Sequence, residues 1–189
     1  EIRGAGNLLG PQQHGYIEEV GIDLYFRLLE TSIQELKGET ETFLPHTKIE
    51  TDLEAFLPPE YITDPRQRIE IYTKLSELKN PEEVGAVKSE LEDRFGQVPA
   101  AVSNLLAIGQ LRLLARNSMI ESINIKPEQI IWEYSSQTGW AKEKLQKLAQ
   151  RINYPVQFEG KQKLRVKVTT GKDHNFNLDW TIKLLQSRL

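Results

Sequence analysis

Cysteine is absent from the 189 residues. That excludes disulfides and thiolate metal sites, and nothing points to an oxidising compartment. No apolar run approaches the roughly 20 residues of a membrane span, and no signal-peptide pattern is visible, so a cytoplasmic location without a membrane partner is expected. The short motifs of common chemistries are missing as well. There is no Gly-x-x-x-x-Gly-Lys-Ser/Thr phosphate loop, no Gly-x-Ser-x-Gly elbow and no His-Glu-x-x-His pair. His14, His46 and His174 are far apart and lack ligand spacing, so no metal site is assigned. The adjacent acids Glu82-Glu83 and Glu92-Asp93 are not catalytic pairs, because neighbours on a helix point about 100° apart and helix starts favour acids for electrostatic reasons. No catalytic residue and no cofactor is expected in this chain.

The net charge of −3 hides an asymmetry. Residues 1–118 carry 12 Lys+Arg against 20 Asp+Glu, whereas residues 119–189 carry 12 against 7. The acidic part repels phosphates and suits a basic protein partner, or is simply a solvated surface. The basic part invites a nucleic-acid reading, in which Lys163, Arg165 and Lys167 track a phosphate backbone while Trp132, Tyr134 and Trp140 stack on bases. Trp132 lies in an apolar run, however, and an excess of five positive charges is weak for such binding, so a structural role is favoured.

The first fifteen residues contain four glycines, Gly4, Gly6, Gly10 and Gly15, around Arg3, Asn7, Gln12, Gln13 and the apolar pair Leu8-Leu9. Glycine serves a tight turn and a close approach to a ligand equally well, and residue chemistry leaves both open. A dinucleotide fingerprint is excluded, because the last glycine comes one residue late and no strand precedes it. The abrupt opening, without an initiator Met, predicts the C-terminal piece of something longer.

Periodicity lays out the rest. Ile17, Val20, Leu24 and Leu28 predict a long amphipathic helix over 16–37 that ends at Gly38, and residues 39–51 read as a linker. Ile49, Thr51, Leu53 and Ala55 alternate with Glu50, Asp52 and Glu54, predicting a half-buried strand with an acidic outer face, stopped by Pro58-Pro59. Three helices follow. Asp64-Pro65 caps the first, with a stripe of Ile69, Tyr72, Leu75 and Leu78; Asn80-Pro81 repeats the device for the second, with Val84, Val87, Leu91 and Phe95 inward; Pro99 starts the third and most apolar. From Met119 the order is ββαββα: strands 120–125 and 130–134 around the turn Lys126-Pro127-Glu128-Gln129, and a helix 140–152 with a basic outer face (Lys142, Lys144, Lys147, Arg151). Strands at 156–158 and 164–168 and a helix 178–189 complete it. The expected fold is α+β: an N-terminal segment and long helix (1–45), then one α/β domain (46–189) with a helical layer and a small mixed or antiparallel sheet.

Ile2-Arg3-Gly4-Ala5-Gly6-Asn7-Leu8-Leu9-Gly10, with Gln13 and Gly15, resembles the translocation motif of two kinds of bacterial duplex-DNA motor, transcription-repair coupling factors and branch-migrating helicases. Val20 to Tyr25, Leu57-Pro58-Pro59-Glu60-Tyr61-Ile62, Arg66 to Leu75 and Glu90-Leu91-Glu92-Asp93-Arg94-Phe95-Gly96 resemble the C-terminal region of the coupling-factor family in particular, over residues 1 to about 118. The resemblance implies a parent that uses ATP and Mg to move along duplex DNA, displaces stalled RNA polymerase and recruits excision repair. It implies that Arg3 and Gln13, among the glycines of the motif, couple nucleotide state to movement; a guanidinium and an amide suit directional hydrogen bonds that exchange as a lobe shifts. His14 departs from the small hydroxyl residue often found at its position, which bears on His14 alone. The domain from residue 46 is implied to dock on the parent's N-terminal module and cover the surface for the excision nuclease's A subunit, with Glu50, Asp52 and Glu54 as a candidate docking face.

Overall fold

The structure is a computed structural model that describes residues 47–134, 142–160 and 163–187. The glycine-rich opening with Arg3, Gly4, Gly6, Gly10, Gln13 and Gly15, the expected helix 16–37, and Trp140 lie outside the described residues. Contacts among the described residues cluster in two compact units, one of residues 54–109 and the other of residues 47–53 with 110–187.

The helical unit contains α1 (Pro65–Glu77), α2 (Glu83–Phe95) and the first half of α3 (Ala100–Asn117). Asp64 caps α1 as its sequence predicts, its carboxylate accepting from the Arg66 N–H at 2.8 Å with proline in the first turn. The buried stripe of α1 is Arg68, Ile71, Tyr72 and Leu75, rather than one through Ile69. Arg68 replaces it because its guanidinium donates to the carbonyls of Ile62 (2.6 Å) and Thr63 (3.2 Å), which satisfies a buried charge and the turn before the helix together. The second cap also differs from expectation. The Asn80 side chain accepts no helix N–H, although its backbone carbonyl accepts from the Glu83 N–H (3.1 Å); its amide donates to the Glu83 carboxylate (2.7 Å), which also accepts from the Lys79 N–H (3.1 Å). Gly96 ends α2 with φ +83° and donates to the Glu92 carbonyl. Tyr61 fastens the preceding loop there, its hydroxyl 3.1 Å from the carbonyls of both Leu91 and Gly96 and its ring edge-on to Phe95.

The sheet unit holds five strands: β1 (Lys48–Thr51), β2 (Ile120–Lys126), β3 (Gln129–Tyr134), β4 (Val156–Glu159) and β5 (Leu164–Thr169), in the spatial order β1-β2-β3-β5-β4. β1 runs parallel to β2 and every other pair is antiparallel, so the sheet is mixed. The helices are the second half of α3, α4 (Lys142–Arg151) and α5 (His174–Gln186). The register stacks Ile123, Trp132 and Val166 across one face and Ile125, Ile130 and Val168 beside them, all fully buried. Alternation with period two sends Ser122, Asn124, Glu133, Arg165 and Lys167 to the opposite face. α5 closes the buried face: it contacts β2, and Trp180 stacks on Trp132 at 6.1 Å.

Two corrections concern element limits. The acidic strand stops at Thr51 instead of reaching Ala55, because the Thr51 hydroxyl accepts the Leu53 N–H (3.3 Å) and turns the backbone out of the ladder. Burial still alternates from Ile49 to Ala55. α5 begins at His174, four residues before the expected start, because Asp173 caps it by accepting the Phe176 N–H at 2.8 Å.

Candidate interaction surfaces

The three acids singled out from the sequence are all exposed, Glu50 and Asp52 in the sheet unit and Glu54 in the helical unit. Glu50 belongs to β1, where Lys48 pairs with it and the Asn124 amide donates to it at 2.5 Å. The Lys48 hydrogen bond, with smaller help from Asn124 and Lys126, holds its carboxyl below the ordinary range. Asp52 stands exposed beyond the strand, 3.7 Å from Nε2 of His174. Glu54 falls in the helical unit, where its backbone carbonyl accepts from the Asn104 amide (2.9 Å).

Two cations of the cationic stretch are paired where they stand. Arg165 meets Glu133 through Nε at 2.9 Å and a second nitrogen at 2.5 Å, and Lys163 meets Glu121 at 2.6 Å. A break in the β2–β3 register between Ile120 and Ser122 falls at Glu121. The Arg165 hydrogen bond holds the Glu133 carboxyl low, and each carboxylate raises the pKa of its cationic partner. Two of the three cations of the nucleic-acid reading are therefore paired with carboxylates, which weakens their pull on a polyphosphate backbone, while Lys167 shares their face. Of the three aromatic residues in that reading, Trp132 and Tyr134 are fully buried and cannot stack on bases, and Trp140 lies outside the described residues. Nor is Arg151 part of a solvated basic face on α4, since it donates to the Leu184 and Ser187 carbonyls and caps the end of α5.

In the helical unit the pattern is different. Lys74 of α1 reaches Glu90 of α2 at 2.7 Å and Glu70 at 3.1 Å; Arg94 reaches Glu90 at 2.6 Å and Glu70 at 3.6 Å. The hydrogen bonds from Lys74, then Arg94, hold the Glu90 carboxyl low, while Glu90 and Glu70 raise Lys74. Two of this unit's cations are thus committed to tying α1 to α2. Residues 54–109 carry ten Asp+Glu against six Lys+Arg. Glu54, Glu60, Glu82, Glu92 and Asp93 remain exposed.

A buried polar group has a structural task. Asn177, fully buried, donates to the Lys126 carbonyl (2.8 Å) and accepts from the Thr170 hydroxyl (2.6 Å), while Thr181 donates to the Asn177 carbonyl (2.7 Å). It fastens the β2–β3 turn to α5. Glu128 in that turn adopts φ +65° and is held by backbone bonds with Thr170, Gly171 and Lys172. Among the described residues no group of three or more His, Asp or Glu could hold a metal ion, and no helix is long and apolar enough to cross a membrane.

These residues describe an α+β module whose surfaces are written in charge: a compensated sheet and an acidic helical unit. Residues 51–145 match the model of the TRCF domain, and the chain belongs to that family. It is 35% identical over its whole length to the transcription-repair-coupling factor of Staphylococcus haemolyticus, of which it covers 16%. It is 43% identical over 66% of its length to that of Staphylococcus aureus, of which it covers 11%. The chain thus spans about a sixth or less of the length of these relatives. A crystal structure of the C-terminal domain of transcription-repair coupling factor matches with a TM-score of 0.58 at 23% identity, covering 76% of this chain and 96% of that one. The likeness shows that the fold is the one found there.

Proposed function

We propose that this chain is a non-catalytic, regulatory part of a cytoplasmic ATP- and Mg-dependent DNA translocase that displaces stalled RNA polymerase from duplex DNA and recruits nucleotide-excision repair. It regulates by docking on the N-terminal module of the same protein, which covers the surface for the excision nuclease's A subunit and autoinhibits the parent. The observation that supports this reading is the charge of the helical unit. Its acids outnumber its cations by ten to six, and two of those cations are already engaged between α1 and α2. Such a surface attracts a basic protein and repels phosphate. Glu54, with Glu82 and Asp93, supplies the docking charge, joined by Glu92 in an exposed pair 3.8 Å from Lys88; Glu50 and Asp52, one paired with Lys48 and one beside His174, contribute less. Arg3 and Gln13 couple nucleotide state to movement in the parent, with Gly4, Gly6, Gly10 and Gly15 shaping their loop.

The test is calorimetric titration of this chain against the separately expressed N-terminal module at two salt concentrations. Saturable binding that weakens with salt is expected, together with roughly tenfold or greater weakening on reversing Glu82, Glu92 and Asp93 and a smaller loss on reversing Glu50 and Asp52. Absence of binding at high micromolar concentration with both partners folded overturns the docking reading. A gel shift with duplex DNA that is present at low salt and lost at moderate salt favours a nucleic-acid module in its place.

A further inference from the structure

We draw no further inference here: the strongest candidate, the aromatic edge of the sheet unit where Tyr154 and the exposed Phe176 carry the Trp132–Trp180 stack out to the surface at the start of α5, is an unpartnered apolar patch, and nothing in the structure shows what covers it.

Discussion

The helical unit and the sheet unit use the same four charged residue types to opposite ends. In the sheet unit, Glu133 meets Arg165 across the β3–β5 ladder and Glu121 of β2 meets Lys163 just before β5, so two cations of a stretch that is cationic in sequence are paired at the surface. In the helical unit, Lys74 and Arg94 both converge on Glu90 and Glu70, which concentrates cations between two helices and leaves acids outside. Sequence charge becomes surface charge only after local pairing is subtracted. A strand places its partners by register, at a spacing of a few ångströms on one face, and so compensates efficiently. Helices compensate mainly along one face at i,i+4, and acids on the remaining faces stay in water.

The two cores should break differently. Trp132→Ala removes the largest buried side chain of the sheet unit and its stack with Trp180, and should cost about 3–5 kcal/mol. Urea unfolding followed by far-UV circular dichroism measures it, with loss of the sheet signal before the helical one if the units open separately. A cost below about 1 kcal/mol would mean that the sheet core does not rest on that stack.

Arg68→Met is the matching test in the helical unit. It keeps much of the stem's apolar volume but leaves the Ile62 and Thr63 carbonyls without their donor, at about 2–3 kcal/mol. The destabilisation should appear in the helical signal. An unchanged urea midpoint would show that water replaces the guanidinium at those carbonyls.

Next in size is a gain. Glu128 sits at φ +65° in the two-residue turn between β2 and β3, a conformation that costs a side chain-bearing residue about 1 kcal/mol relative to glycine. Glu128→Gly keeps its backbone bonds to the 170–172 loop and should raise stability by up to about 1 kcal/mol, read as a higher thermal midpoint. Gly160, at φ +107°, gives the opposite control: a Cβ there would run into the Lys163 carbonyl oxygen, so Gly160→Ala should destabilise the same sheet.

Much of this layout was legible beforehand, and the misses have a common cause. Asp64-Pro65, Gly96 and the apolar alternations of β2, β3 and β5 act locally, so propensity and period expose them. Arg68 and Asn177 were hidden because a polar residue at a buried position is recognisable only through partners in other segments. The start of α5 was hidden by its polar first turn, His174-Asn175, which interrupts the apolar stripe. Glu121 and Glu133 were invisible as partners of β5 because cross-strand pairing depends on register, and the register here includes a break at residue 121. The same nonlocal pairing hid the Asn124 amide as a partner of Glu50.

The smallest effect sharpens the comparison most. Glu90 and Glu133 each have a carboxyl held below its ordinary value of about 4.3, Glu90 by Lys74 first and Arg94 second, Glu133 by Arg165 first. A carboxyl lowered in the folded state contributes stability that is fully present above its ordinary value. That contribution is lost as pH falls through the lowered folded value, so the loss runs from about pH 5 downward. Glu90→Gln and Glu133→Gln should each flatten the acid limb of a plot of urea midpoint against pH between about 3 and 7. Both pairs are partly solvated, and each should contribute no more than about 1 kcal/mol. Glu90 should show the larger change, because two cations converge on it where Glu133 has one guanidinium. Added salt should shrink both effects, since neither pair is fully buried. If Glu133→Gln flattened the limb as much as Glu90→Gln, convergence on α2 would not be what distinguishes the helical unit. Its surplus of exposed acid would then follow from composition alone.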